Sequence, residues 1–313
     1  MAFIPVSKEL LFKRNEPGDP RWGEKVLLEG TSDWVLRGYP DDEGIKLNGG
    51  RLGASEAPDK IRQAFYRTTW GTASPSLCDL GNLSTEPELG LRHEECRKTL
   101  GEVLKSGRKA ICLGGGHDYG FPDGAAFLDQ FKTLKPLVLN FDAHLDVRPL
   151  DRGFSSGTPF FRLLTEFSDF EFVQVGIQPQ CNSENYLKWC TDKGAKVLTW
   201  PEVLLSQKSL TENLRTLLKL SGSAEKVRRP LFVSLDIDCF NNAIAPGCSQ
   251  SWPTGLTAND FYPCLELLKE FFDIKLFSIY EVSPPLDHDS RTSKLAAQWI
   301  HQLLSQSLNG RVS

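Results

Sequence analysis

The chain has 313 residues, of which 24% are charged and 40% hydrophobic, and its formal net charge is −4. A chain of this size and composition can fold without disulfides or a structural metal. The small negative charge gives no indication of an extended nucleic-acid-binding surface, because such surfaces carry clustered Lys and Arg. The first residues lack a long apolar core, and no apolar run is long enough for a membrane helix. We therefore expect neither a secretory signal nor a membrane partner.

The eight cysteines are scattered along the chain, and no two of them form a CxxC pair. This arrangement favours reduced thiols and predicts a cytoplasmic protein. An even number of cysteines also suits a set of disulfides in a secreted protein. That alternative depends on a signal sequence, which we do not find.

Short apolar, β-rich runs alternate with helical patterns along the chain. The predicted strands are 109–113, 136–141, 171–177, 196–200, 230–235 and 275–281. The predicted helices are 57–65, 93–106, 183–193, 210–220, 258–271 and 290–308. This alternation predicts an α/β fold whose central, mostly parallel sheet is covered on both faces. Because no linker interrupts it, we expect one domain over residues 1–313, with residues 1–40 as an N-terminal extension of unassigned role.

Acidic residues and histidines directly follow three of these predicted strands. The six side chains are His117, Asp142, His144, Asp146, Asp236 and Asp238. Alternate residues of an extended segment point to the same side, so Asp142, His144 and Asp146 converge if their strand continues through them. Ligands of open α/β sheets bind beyond the carboxyl ends of the strands, and we expect all six side chains in one crevice there.

Four carboxylates at close range repel one another unless cations compensate their charge. Six ligands exceed the four of a tetrahedral zinc site, and four Asp charges match two divalent cations. Oxygen and imidazole ligands without thiolate favour Mn²⁺ over zinc or copper. Taken singly, the glycines before His117 also suit a simple turn, the segment from Asp142 to Asp146 also suits a solvated loop, and Asp236 with Asp238 also suits an acidic strand end. Their joint occurrence after three strands favours two Mn²⁺ ions per subunit.

Blocks spread over most of the chain resemble the ureohydrolase family of arginases, agmatinases and formimidoylglutamases. They are NGGRLGA at 48–54, GGGHD at 114–118, NFDAHLDVRP at 140–149, SSGTPF at 155–160, GIQP at 176–179, SLDID at 234–238 and EVSP at 281–284. The resemblance implies a three-layer α/β/α, arginase-like fold, a homo-oligomer, and the six residues above as ligands of a Mn²⁺ pair. It also implies that Glu281 holds the cationic amidine of a small-molecule substrate, and a planar cation suits a carboxylate.

Within the family, the order GGGHD and the NGGRLGA, SSGTPF and GIQP blocks resemble the formimidoylglutamase branch. Ser156 stands where typical arginases have a histidine, and Cys239 begins a segment that departs from the common Gly-Leu-Asp-Pro. Both departures point away from an arginase. The resemblance thus implies hydrolysis of N-formimidoyl-L-glutamate to L-glutamate and formamide in histidine degradation. Asp146 would act as general base and then as general acid.

The substrate of that branch carries two carboxylates, so its pocket needs cations. Arg148 and Arg152 follow the acidic block closely, and arginine forks suit carboxylates. Either arginine could instead pair with Asp146 or Asp151. Asn140 and Ser156 could position the substrate or serve only the structure.

Three alternatives stay open at this level. A hydrolase of another guanidino or amidino compound, similar to an arginase, an agmatinase or a guanidino-acid hydrolase, would release urea. A metal-free relative would act as a binding protein or a partner subunit. A zinc hydrolase of the deacetylase type would need one metal and a different set of histidines, and the chain has only five histidines.

Overall fold

The computed structural model describes residues 3–222 and 227–306. The strands in these ranges are β1 (Phe3–Ile4), β2 (Trp34–Gly38), β3 (Leu77–Leu83), β4 (Lys109–Leu113), β5 (Leu137–Phe141), β6 (Glu171–Ile177), β7 (Lys196–Thr199), β8 (Arg229–Asp236) and β9 (Phe272–Tyr280). The helices are α1 (Trp22–Lys25), α2 (Glu43–Leu47), α3 (Ala57–Phe65), α4 (Leu89–Lys105), α5 (Gly120–Phe131), α6 (Pro159–Glu166), α7 (Glu184–Asp192), α8 (Trp200–Leu205), α9 (Leu210–Leu217), α10 (Ala258–Phe271) and α11 (Arg291–Leu304). Within these ranges, no helix has both the length and the apolar character needed to cross a lipid bilayer.

The strands form one nine-stranded sheet in the order β1-β3-β2-β4-β9-β8-β5-β6-β7. Neighbouring strands are parallel except β1 and β3, which pair antiparallel at one edge. The predicted, mostly parallel sheet is confirmed. Because β4, β9, β8 and β5 are adjacent in the middle of the sheet, the segments that follow them meet at one place.

Successive side chains of the central strands pack into two apolar cores, one on each face of the sheet. On β5, Leu137, Leu139 and Phe141 belong to one core and Val138 to the other. The first core includes residues of α3, α9, α10 and α11, and the second includes residues of α4, α5 and α6. Helices therefore cover both faces, as the predicted three-layer α/β/α arrangement requires.

The predicted elements agree best with the structure in the centre of the sheet and in two helices. Strands 109–113 and 171–177 and helices 57–65 and 258–271 have the predicted bounds. Strand 275–281 needs a correction, because β9 begins three residues earlier and ends at Tyr280. Helix 290–308 ends at Leu304, and its residues 307–308 lie outside the described residues.

The sequence pattern does not predict β2, β3 or α5. β2 contains Arg37 and β3 contains Asp79, and both charged side chains are buried in the structure. α5 begins with Gly-Phe-Pro-Asp-Gly, a composition typical of a turn. The N-terminal extension packs onto the fold, since β1 pairs with β3 and Trp22 is buried in the first core.

A buried ion pair ties α3 to β3. Arg62 Nε lies 2.7 Å from Asp79 Oδ2, and neither side chain is exposed. Removing one partner leaves the other charge buried and uncompensated, so Asp79→Ala should lower the free energy of unfolding by about 3–5 kcal/mol in urea denaturation. The control Asp192→Ala breaks the exposed pair with Lys188 and should cost less than about 1 kcal/mol. Equal losses in the two variants would contradict the expectation.

Candidate metal centre

Four adjacent strands bring the predicted site residues to one end of the sheet. His117 follows β4 in a short 3-10 turn, Asp142 directly follows β5, and Asp236 is the last residue of β8. Glu281 directly follows β9. Side chains that are far apart in the sequence therefore meet beyond the carboxyl ends of the strands.

The strand does not continue through the acidic block, so alternation does not apply there, although the side chains do converge. β5 ends at Phe141, so Asp142, His144 and Asp146 lie on a loop. Asp146 has a φ of 49°, and this left-handed turn returns its carboxylate towards the strand ends. Asp238 likewise lies in a 3-10 turn just beyond β8.

One set of donor atoms surrounds the imidazole of His117. Its Nδ1 lies 3.1 Å from Asp142 Oδ2, 3.0 Å from Asp146 Oδ2 and 3.1 Å from Asp236 Oδ2. The ligand atoms of these four side chains, called here the His117 group, all lie within 4.8 Å of one another. Three carboxylates around one buried nitrogen need positive charge between them.

A second set of donor atoms shares Asp142 with the first. Asp142, His144 and Asp238, called here the His144 group, also have ligand atoms within 4.8 Å of one another. His144 Nδ1 lies 2.9 Å from Asp238 Oδ2 and 3.6 Å from Asp142 Oδ1. Asp142 thus turns Oδ2 towards His117 and Oδ1 towards His144. A carboxylate in this position can bridge two cations.

Hydrogen bonds behind the donor atoms fix their directions. Ser234 Oγ lies 2.9 Å from His117 Nε2, which leaves Nδ1 facing the carboxylates. Partners of this kind set the tautomer and the orientation of metal-binding histidines. The sequence motifs do not single out Ser234, yet it lies two residues before Asp236 on β8, and alternation places both on one side of the strand.

Burial and mutual repulsion change the proton affinity of this cluster. Burial and the charge of Asp142 raise the pKa of Asp146 to about 6. Burial, Asp238 and Asp142 raise the pKa of Asp236 well above its usual value. Burial opposes protonation of His117, but the nearby carboxylates of Asp142, Asp146 and Asp236 outweigh it and raise its pKa. The raised pKa values of Asp146 and Asp236 indicate that these carboxylates need compensating positive charge, which bound divalent cations would supply.

A cavity of about 490 Å³ opens above the two groups. Asp146, Asp236 and Glu281 are among its lining residues. Tyr186 and Trp252 also line it, and nothing in the sequence marks them as pocket residues. The cavity therefore joins the acidic cluster to loops and a helix that lie far from it in the sequence.

The two arginines predicted to contact substrate lie in different places. Both side chains are exposed, but Arg148 lines the cavity and Arg152 is not part of the lining. Among the described residues, neither guanidinium forms an ion pair, so the alternative pairing with Asp146 or Asp151 is not made. Arg148 thus offers an uncompensated cation to a cavity ligand.

The two predicted polar positions also differ. Ser156 lines the cavity, and its Oγ accepts a hydrogen bond from the Asn48 amide at 3.2 Å. Asn140 is fully buried on β5, and its amide donates to Asp142 Oδ2 at 3.2 Å and to Gln174 Oε1 at 2.7 Å. Asn140 therefore holds the Asp142 carboxylate by a hydrogen bond from within the sheet, and it does not reach the cavity.

Glu281 forms the acidic wall of the cavity next to His117. Its Oε1 accepts a hydrogen bond from the backbone N–H of His117 at 3.0 Å. Among the described residues, no hydrogen-bond donor reaches its other carboxylate oxygen. Burial raises the pKa of Glu281 to about 8 against the opposing effect of the His117 N–H. A cationic ligand would relieve this unfavourable burial of the carboxylate.

Comparison with known proteins agrees with this site. Residues 32–305 match the Arginase family. A formimidoylglutamase of Staphylococcus aureus (strain bovine RF122 / ET3-1) is 31% identical over 86% of this chain and 85% of its own length. A formimidoylglutamase of Aeromonas salmonicida (strain A449) is 27% identical over 93% of this chain and 95% of its own length.

A solved structure extends the similarity to three dimensions. The crystal structure of Trypanosoma cruzi formiminoglutamase with Mn²⁺ superposes with a TM-score of 0.78 and 27% identity, over 91% of this chain and 97% of that one. The predicted family resemblance is confirmed. With a family match along most of its length, the chain belongs to the arginase family.

Proposed function

We propose that the chain hydrolyses the C–N bond of a linear amidine, N-formimidoyl-L-glutamate, to give L-glutamate and formamide. The observation that carries the proposal is one cavity that combines the two donor groups with an acidic wall at Glu281 and a basic wall at Arg148. The formimidoylglutamases among the relatives support this choice of substrate.

We also propose two Mn²⁺ ions per subunit, one in the His117 group and one in the His144 group. Oxygen and imidazole donors without a thiolate suit Mn²⁺. The Mn²⁺ in the formiminoglutamase structure supports the same choice. When bound, such a pair acts as a Lewis acid and lowers the pKa of water towards neutrality.

The cavity walls complement the charges at the two ends of this substrate. Glu281 binds the amidinium, because its carboxylate is buried and its second oxygen has no donor among the described residues. Arg148 binds a carboxylate of the glutamate tail with a guanidinium that forms no ion pair with any residue that the structure describes. Ser156 and Asn48 line the same side of the cavity and present neutral polar groups to it.

Asp146 moves the proton in this mechanism. Its carboxylate lies at the cavity and within the His117 group, where it can accept a proton from water and donate it again. Water adds to the formimidoyl carbon, and Asp146 takes a proton from that water. The same proton passes to the leaving nitrogen as its bond to the carbon breaks. The nitrogen becomes the amine of L-glutamate, and the carbon keeps its other nitrogen and the water oxygen as formamide.

The remaining expectations from the sequence are kept as parts of the proposal. One sheet that includes every described strand supports a single domain. All eight cysteines are free thiols, which suits the reducing cytoplasm. A homo-oligomer is proposed on the family resemblance alone.

Product identification tests the proposed substrate. With added Mn²⁺ and N-formimidoyl-L-glutamate, the purified protein should release formamide and L-glutamate in equal amounts, and a chelator should abolish the release. Urea formed from arginine, agmatine or a guanidino acid, without formamide from the formimidoyl compound, would contradict the proposal and support the alternative hydrolase.

Metal content separates the roles of two aspartates. Asp142→Asn should remove both ions, because Asp142 belongs to both donor groups, whereas Asp238→Asn should remove only one. Elemental analysis after Mn²⁺ loading and dialysis measures the metal-to-protein ratio. Asp151→Asn changes an exposed carboxylate nearby and should keep two ions. Two ions retained in Asp142→Asn would refute the bridging role.

Arg148 and Arg152 make a matched pair for testing recognition of the substrate tail. Arg148→Met should raise KM for N-formimidoyl-L-glutamate about 10- to 100-fold, the loss expected for charge-assisted hydrogen bonds. N-methylformamidine lacks the glutamate tail, so its turnover should change little in the same variant. Arg152→Met should keep KM close to the wild-type value, since Arg152 lies outside the lining. Equal changes in the two variants would rule out a specific tail contact at Arg148.

A further inference from the structure

A buried carboxylate lies behind the metal centre and collects three hydroxyl donors. Asp123 on α5 is fully buried. Its Oδ2 accepts hydrogen bonds from Tyr280 at 2.6 Å and from Ser278 at 2.7 Å, and its Oδ1 accepts one from Tyr39 at 2.6 Å. Breaking hydrogen bonds to a buried charge costs free energy, so these bonds hold the Asp123 carboxylate in one position in the core.

This cluster lies outside the cavity and has its own balancing charge. Arg37 on β2 is fully buried, and its guanidinium carbon lies 5.4 Å from the centre of the Tyr39 ring. Neither Asp123 nor Arg37 lines the cavity above the metal centre. The cluster can therefore affect the proposed reaction only through a residue that contacts the site.

Tyr280 makes that contact through its ring. The ring stacks on the His117 imidazole, with centres 4.7 Å apart and an interplanar angle of 23°. Phe160 packs edge-on against the same imidazole, with centres 5.3 Å apart. A Cβ on Gly114 would lie 2.3 Å from Tyr280 Cδ1, so the glycine turn that leads to His117 needs glycine to pass over the ring. The Tyr280 ring thus fixes one face of a candidate metal ligand.

Tyr280 also precedes the carboxylate proposed to bind the amidinium. It ends β9, and Glu281 then adopts a φ of 64°, which is uncommon for a residue with a side chain. The backbone N–H of Glu281 donates to Gly115 O at 2.9 Å, and its Oε1 accepts from the backbone N–H of His117 at 3.0 Å. A shift of Tyr280 would therefore move both Glu281 and the turn that carries His117.

From these contacts we infer that Tyr280 is a positioning residue, whose hydrogen bond to Asp123 holds the His117 imidazole and the Glu281 carboxylate in a fixed relation. The inference rests on the proposed function, because that function gives His117 and Glu281 their roles. Loss of the bond should weaken metal binding in the His117 group and binding of the amidinium. The other donors to Asp123 should not have these effects.

Tyr39 provides a matched control on the same carboxylate. Both tyrosines are fully buried, and each donates to Asp123 at 2.6 Å. The ring of Tyr39 stacks on Tyr119, with centres 4.5 Å apart, whereas that of Tyr280 stacks on a candidate ligand. Tyr39→Phe and Tyr280→Phe each remove a hydrogen bond to Asp123, and Tyr39→Phe also removes the contact of the Tyr39 hydroxyl with Cys112 Sγ at 3.0 Å. A purely structural role therefore predicts consequences in Tyr39→Phe at least as large as in Tyr280→Phe.

The experiment compares Mn²⁺ affinity, kinetics and thermal stability of the two full-length variants. Both should fold, with Tm values within about 4 °C of each other. Tyr280→Phe should bind one of two Mn²⁺ ions about tenfold more weakly, in the range for lost support of a metal ligand, and should raise KM for N-formimidoyl-L-glutamate. Tyr39→Phe should keep both affinities and KM within about twofold of the wild-type values, which is less than 1 kcal/mol.

Equal affinities and KM values in the two variants would overturn the inference, whatever their common loss in Tm. If Tyr280→Phe does not fold, Asp123→Leu is the second variant, because leucine has a similar shape and no atom that accepts a hydrogen bond from the Tyr280 hydroxyl. Wild-type metal affinity in Asp123→Leu would then overturn the inference. A wild type that binds two Mn²⁺ ions but does not hydrolyse the formimidoyl compound would refute only the substrate, since metal affinity still tests Tyr280. A wild type that binds no Mn²⁺ would refute both.

Discussion

Compensation of buried negative charge is the constraint on which the rest of this structure depends. The carboxylates of Asp142, Asp146, Asp236, Asp238 and Glu281 are gathered in and around one cavity. Their mutual repulsion opposes folding unless positive charge lies between them. The two apolar cores hold the parallel strands in place, and the strand ends in turn hold the carboxylates together. Groups 164 residues apart, such as His117 and Glu281, can then share a hydrogen bond.

Much of this centre could be predicted because each ligand candidate lies at the end of a buried strand or within a few residues beyond it. The sequence pattern does not reveal that β4, β9, β8 and β5 are neighbours in the sheet. This strand order places their ends side by side. The path of the acidic loop is also set by tertiary structure. Asp146 reaches the cluster through a left-handed turn, and a two-residue alternation does not describe such a turn.

Two strands that the sequence pattern does not predict, β2 and β3, share one physical cause. Arg37 and Asp79 interrupt the apolar pattern of β2 and β3, and their burial depends on partners elsewhere in the chain, such as Arg62 on α3. The pocket shows the same limit of prediction from sequence, because the position of a side chain there depends on the tertiary structure. Asn140 and Arg152 lie close to the ligands in sequence, but the first is buried below them and the second lies outside the lining. Sequence proximity alone therefore does not give the direction of a side chain.

The most direct test of charge compensation by two cations is anomalous diffraction from crystals grown with Mn²⁺. Two peaks are expected about 3.5–4 Å apart, one within the His117 group and one within the His144 group, with Asp142 between them. Peaks absent from this cluster in excess Mn²⁺, or a single peak that Asp142 does not contact, would contradict the claim that paired cations balance these carboxylates.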